Sequence, residues 1–181
     1  MRDTKLGYAI LGLLGQGPRS GYDLRKTFSA TPFDHFSDSP GAVYPALARL
    51  QRKRWIAGSA PDGGRRRRTF RLTAAGRRAW RAWLGRPATR AEVVGDLDLL
   101  MIRFAFMGEV LSRTAAVRFL DGLIRQLDGH VGELCRFRET ETADLPPTGR
   151  WAFDAGLEAY EARAAWARRA RAALARKEEK R

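Results

Sequence analysis

The sequence predicts a mainly α protein in two parts. The first holds three helices, a two-stranded β-hairpin and a fourth helix; the second is all-helical. Three observations predict this. Apolar residues recur at helical spacing through most of the chain. The stretch after Trp55 instead alternates at period two around a cluster of turn residues. Gly85, Pro87 and Ala88 then interrupt the pattern. Two domains are expected, residues 1–86 and 87–181.

The chain has 181 residues, enough for one large or two small domains. At 44% hydrophobic residues, a core can form. The charge is unusual: 34 Lys and Arg against 20 Asp and Glu give +14. Such an excess attracts polyanions, nucleic acid first and an anionic membrane surface next. The lone Cys135 permits no internal disulfide, and a small buried hydrophobe is its simplest reading. Residues 1–15 have a basic start and an apolar stretch, as a signal peptide would, but no small-x-small cleavage site follows. They read as a core helix, in a cytoplasmic protein. No apolar run approaches the ~20 residues of a membrane span, so no membrane partner is expected.

Leu6, Ala9, Ile10, Leu13 and Leu14 build the first helix, which Gly15 to Pro18 stop. Ser20 to Asp23 has capping-box spacing with Asp in place of Glu, and Leu24 and Phe28 follow one turn apart. Residues 31–40 are a loop. In SPGAVYPALARLQRKRW, Val43, Leu47 and Leu50 share a face. Pro45 opposes a regular helix there, so either the first turn is irregular or the helix begins near Tyr44. Residues 55–59 read as a strand and Pro61 to Gly64 as a turn. Arg67 to Leu72 alternates, with Phe70 and Leu72 on one face. Thr73 caps a helix carrying Trp80, Trp83 and Leu84.

In the second part, Asp96 or Asp98 caps a helix apolar around much of its circumference. Ser112 opens a longer one, with a stripe from Leu120 to Leu134. Leu145, Pro146 and Pro147 break it. Thr148 caps a last helix, whose alanines allow close helix contact.

Three helices followed by a hairpin is the order of a winged helix-turn-helix, which places one helix in the DNA major groove. The run GGRRRRTFRLT then acquires a purpose. Its glycines allow a tight tip, and its cations would release counterions from a phosphate track. Residues 6–84 resemble the winged helix-turn-helix of the PadR family of transcriptional regulators. The matching pieces, in order, are YAILGLL, GPRSGYDL, PGAVYPALARLQRKRWI and RRRRTFRLTAAGRRAWRAWL. RWAFDAGLEAY resembles, more loosely, the helical C-terminal domain through which longer members dimerise.

The resemblance implies a recognition-helix region over 40–53. It makes Ser39, Gly41, Ala42, Tyr44, Pro45 and Arg49 DNA contacts, and Tyr22 a phosphate contact. Arg65, Arg66, Arg67 and Arg68 become wing contacts. Gln51 stands where the family usually has Glu, Arg54 where it has Gly, and Phe70 where Tyr is common. Arg54 removes an easy left-handed helix cap. The implied partners are a double-stranded DNA operator, a second copy of the chain and a small aromatic effector. Trp80, Trp83, Trp151 and Trp166 are the effector candidates, although aromatic residues at helical spacing more often serve packing.

His35, His130 and Cys135 lack zinc spacing, and no metal or cofactor is expected. No nucleophile has a base and an orienting group, and no phosphate-binding glycine loop occurs, so an enzyme is not expected. Two other classes fit the charge. A non-specific architectural or RNA-binding protein would show little preference among duplexes. A protein-interaction adaptor would keep its function without DNA.

Overall fold

The computed structural model describes residues 4–30, 39–59 and 68–176. The chain forms two compact units, Met1–Leu84 and Gly85–Arg181. The first contains α1 (Lys5–Gly15), β1 (Arg19–Ser20), α2 (Gly21–Ser29), α3 (Pro40–Arg52), β2 (Ile56–Gly58), β3 (Thr69–Leu72) and α4 (Ala74–Leu84). Ile10, Leu11, Leu24, Val43, Leu50 and Leu84 are its fully buried centre. Tyr8 stacks on Trp83 with ring centroids 3.9 Å apart. At Gly15, a Cβ would lie 2.6 Å from the Trp80 ring, so glycine is what admits the indole.

The sheet has three strands, not two. It is antiparallel, in the order β1-β3-β2. Phe70 and Leu72 of β3 are buried and Arg71 is exposed, as the alternation predicts. Each buried side chain stabilises the hairpin base by roughly 1.5–3 kcal/mol. The added strand, β1, pairs Arg19 with Phe70 and Ser20 with Thr69. Two residues are too few for period-two alternation to register. Ser20 also opens α2: its hydroxyl accepts from the Asp23 N–H at 3.1 Å, while its own N–H donates to the Asp23 carboxylate at 3.1 Å. That is the expected capping box.

The first turn of α3 is regular. Ser39 caps it, accepting from the Ala42 N–H at 3.2 Å, and Pro40 starts the helix with its φ already set. Pro45 lies within the helix and withholds one donor from the Gly41 carbonyl. Gly41 is exposed, so water can replace that donor.

Where α3 ends, Arg54 adopts φ 57°, the left-handed conformation that glycine would adopt freely. The Arg54 N–H donates to the Gln51 carbonyl at 2.8 Å and the Trp55 N–H to the Leu50 carbonyl at 3.0 Å. These are the two bonds of a Schellman cap, formed here without glycine. An L side chain in this conformation costs roughly 1–2 kcal/mol. Arg54→Gly is therefore expected to raise stability by up to about 1 kcal/mol after glycine's own entropic cost. A thermal midpoint that stays put or falls would show that other contacts hold Arg54 in place.

Thr73 joins the corner to α4. Its hydroxyl donates to the Arg54 carbonyl at 2.7 Å and accepts from the Gly76 N–H at 3.0 Å. It caps the helix as expected and at the same time satisfies a carbonyl of the turn after α3.

The second unit contains α5 (Arg90–Gly95), α6 (Leu97–Met107), α7 (Arg113–Glu141) and α8 (Pro147–Arg176). The sequence reading omits α5. Its signal is a Thr89-to-Glu92 capping box, whose bonds both form. Asp96, rather than Asp98, caps α6. Thr148 is not the cap of α8; that helix begins at Pro147, whose fixed φ suits a first helical position. Helices α7 and α8 run antiparallel, and at 30 residues α8 is about 45 Å long. Pairs along their length set the direction: Phe137 with Phe153, His130 with Tyr160, Asp128 with Arg168 and Asp121 with Arg171.

Arg103 of α6 is fully buried. Its Nη2 donates to the Glu92 Oε1 at 2.5 Å and its Nη1 to the Arg86 carbonyl at 3.2 Å. Arg90 of α5 pairs with Glu133 of α7, and its guanidinium holds that carboxyl below the usual range. Among the described residues, no helix is long and apolar enough to cross a membrane.

Candidate nucleic-acid interface

Helix α3 buries Val43, Ala46, Leu47 and Leu50. The opposite face exposes Gly41, Tyr44, Pro45, Ala48 and Arg52. Apart from Tyr44 and Arg52 these are small residues, so another molecule can approach the helix backbone closely. Ser39 caps this helix, while Ala42 and Arg49 are half-buried on one shoulder of the exposed face. The sequence reading includes Arg49 but leaves out Ala48 and Arg52. Helical period alone identifies both: they follow Gly41 and Pro45 along one stripe.

Tyr22, Tyr44 and Arg68 come together. They line a cleft of about 340 Å³ with Ser20, Gln51 and Phe70. The cause is the unpredicted strand β1. Pairing Ser20 with Thr69 sets the first turn of α2 beside the start of β3. Tyr22 follows the first of these residues and Arg68 precedes the second. Gly21 lets α3 close on α2, since a Cβ there would lie 2.7 Å from the Tyr44 ring. Both tyrosines are 48% exposed, so their hydroxyls can reach solvent or a ligand.

Arg68 is held by its surroundings. Its guanidinium carbon lies 5.7 Å from the centroid of Phe70, a cation–π distance. A Cβ at Gly58 would lie 2.3 Å from its Nε, so Gly58 leaves the space it occupies. Arg65, Arg66 and Arg67 lie outside the described residues.

Charge is distributed unevenly along the chain. Residues 1–84 hold 17 of the 34 Lys and Arg but only 5 of the 20 Asp and Glu. Twelve of the fourteen net positive charges therefore belong to the first unit. A uniform solubilising excess would not segregate in this way.

The four tryptophans that are effector candidates occupy different environments. Trp80 and Trp83 are each 3% exposed within the core of the first unit. Trp151 and Trp166 belong to α8, fifteen positions and so about 22 Å apart along the helix. Trp151 is 75% exposed. Trp166 sits edge-on to Phe104, which with Met107, Leu111 and Arg113 lines a cleft of about 400 Å³ in the second unit. His130 is buried against Tyr160, Cys135 is half-buried, and His35 is outside the described residues.

Residues 10–82 match the model of the "Transcriptional regulator PadR-like family". The chain is similar to the negative transcriptional regulator PadR of Bacillus subtilis (strain 168). The two are 28% identical over 144 residues, 78% of either protein. Among solved structures it is similar to Bacillus subtilis PadR in complex with operator DNA, at 25% identity and a TM-score of 0.44 over 93% of this chain and 98% of that one. It is also similar to the same protein in complex with p-coumaric acid, at 24% identity and a TM-score of 0.42 over 96% and 98%. Residues 10–82 thus constitute a domain of the transcriptional regulator PadR-like family.

Proposed function

We propose that the chain is a dimeric, sequence-specific DNA-binding repressor. The first unit would bind the operator, and the second, Gly85–Arg181, would hold two copies together. One observation carries this reading: Tyr22, Tyr44 and Arg68 share a cleft beside the exposed face of α3. The concentration of positive charge in that unit supports it.

The chemistry divides by reach. The exposed face of α3, small at Gly41, Pro45 and Ala48, enters the major groove far enough for Tyr44 and its neighbours to meet base edges. Arg68, the preceding arginines and Tyr22 hold phosphates, which fixes register and supplies affinity but not sequence preference. A two-fold dimer then reads half-sites about one helical turn, or about 34 Å, apart.

Removing the wing charge, with Arg65 to Arg68 all changed to Ala, is expected to weaken binding to every duplex. Each lost phosphate contact removes about 0.9 from the slope of log affinity against log salt, so four contacts remove up to about 3.6. Affinities measured at several salt concentrations give the slope. An unchanged slope would exclude the wing from the phosphates.

Release by a small aromatic effector belongs to the same proposal. Binding would favour a dimer geometry mismatched to the operator. The cleft beside Phe104 has apolar walls and the cation Arg113, and Trp166 would report its occupancy. Titration with small aromatic compounds is expected to quench or shift tryptophan emission. Emission unchanged across such a series would remove the effector from the account.

A further inference from the structure

The exposed stripe of α3 runs through Gly41, Pro45, Ala48 and Arg52, at steps of four, three and four residues. Gly41, Pro45 and Ala48 carry no side-chain hydrogen-bonding group, and Pro45 has no N–H either. They let the helix approach a groove closely, but they cannot tell one base pair from another by hydrogen bonds. Beside the stripe, Tyr44 adds a single hydroxyl. One donor aimed at N7 is accepted by adenine and guanine alike. Within the stripe, only Arg52 carries several donors in a fixed fork.

Nothing on α3 competes for that fork. No Asp or Glu occurs in Pro40–Arg52, so no carboxylate stands one turn back to hold the guanidinium. Among the described residues, none forms an ion pair with Arg52. Side chains leave a helix tilted toward its N-terminus, so the stem at position 52 runs back along Ala48, whose methyl leaves the way open. The neighbouring cations are placed differently. Arg49 is half-buried, and the Lys53 ammonium lies 4.6 Å from the centroid of Trp55.

We infer that Arg52 determines sequence preference by donating two hydrogen bonds to O6 and N7 of a guanine in the major groove, once in each half-site. The inference rests on the DNA-binding reading above and goes beyond it by naming the side chain, the base and the two atoms. Phosphate contact is left to Tyr22, Arg68 and the preceding arginines.

Enrichment of bound duplexes from a randomised pool tests this, with the full-length parent, Arg52→Ala and Arg52→Lys run in parallel. The parent is expected to enrich a sequence with guanine at one fixed position of each half-site. Both variants should lose that preference and keep the others, because alanine has no donor and lysine keeps the charge without the fork. On the parent's enriched duplex, Arg52→Ala should bind about tenfold or more weakly. Replacing that guanine with 7-deazaguanine, which lacks the N7 acceptor, should weaken the parent and leave Arg52→Ala unchanged. Arg52 is exposed at the last position of α3, so circular dichroism should show intact helices in both variants. Variants that still enrich the parent's guanine would overturn the inference and leave the DNA-binding reading standing. So would an Arg52→Ala protein weakened equally on enriched and random duplexes, with a salt slope lowered by about 0.9 per contact and restored by lysine, since that marks a phosphate contact. A parent that enriches no sequence would overturn both.

Discussion

Arg103→Met is expected to destabilise the second unit by about 2–3 kcal/mol, less than breaking a fully buried ion pair, because the Glu92 side chain keeps some contact with solvent. Arg103 is fully buried. Its guanidinium serves Glu92 of α5 and the carbonyls of Arg86 and Pro87, so it ties the segment ahead of α5 to α6. It also lies 5.8 Å from the centroid of Phe119 in α7. Methionine fills much of the volume but donates nothing. Glu92 would then keep a charge with no buried cation beside it, and two carbonyls would lose a donor. The partner's state determines the loss, so Arg103→Met/Glu92→Gln is expected to recover a large part of it. Glutamine keeps an oxygen for the Thr89 cap while removing the charge. Denaturant melts of the four proteins in this cycle provide the coupling. Additive losses would show that Arg103 contributes packing rather than pairing.

Gly76→Ala is expected to destabilise the first unit by about 3 kcal/mol, near the upper end for overpacking. A Cβ at Gly76 would lie 1.9 Å from the Trp55 carbonyl oxygen and 2.8 Å from the carbon that carries it. Those are backbone atoms at the corner between α3 and β2, and they cannot rotate away as a side chain can. The Trp55 carbonyl is also bonded to the Thr73 N–H at 3.0 Å, so moving it disturbs the cap of α4. For a unit of this size the loss lowers the thermal midpoint by on the order of 15 °C. The wing base should shift as well and weaken DNA binding. Gly129→Ala in α7 offers the contrast, because nothing lies within 4 Å of its added Cβ. There alanine should stabilise by roughly 0.5–1 kcal/mol, since a helix interior favours it. A Gly76→Ala protein melting with its parent would show that the corner relaxes freely.

What could be read from the sequence depended on how many residues carried each signal. The apolar faces of α1 and α3, the Phe70–Leu72 alternation and the Ser20 capping box each rest on several side chains at a fixed spacing. They appear in the structure as expected. Strand β1 escaped because Arg19 and Ser20 pair with β3 through backbone groups that any residue offers. Helix α5 is six residues long, less than two turns, and only its Thr89–Glu92 cap marks it. Arg54 contradicts the rule that a left-handed cap wants glycine; the bonds of the turn hold it there despite its side chain.

The candidate site follows the same division. The family resemblance implies Tyr22 and Tyr44, and the arginine run itself points to Arg68, but the three lie far apart along the chain. Their meeting in one cleft depends on β1, so no local pattern could show it. Gln51 enters the site through the same packing. Ala48 and Arg52 need only the helical period, once α3 runs unbroken through Pro45.

The central claim is that the first unit reads DNA sequence. A fluorescence-anisotropy titration tests it most directly. The full-length chain is titrated against the DNA upstream of its own gene and against random duplex, at low and at physiological salt. The account predicts that the upstream DNA is bound at least about a thousandfold more tightly than random duplex at physiological salt, the lower bound for specific recognition. The proposed operator would be a partial palindrome within that DNA. Equal affinities for both duplexes, collapsing together as salt rises, would contradict it and leave only a charge-driven attraction to DNA.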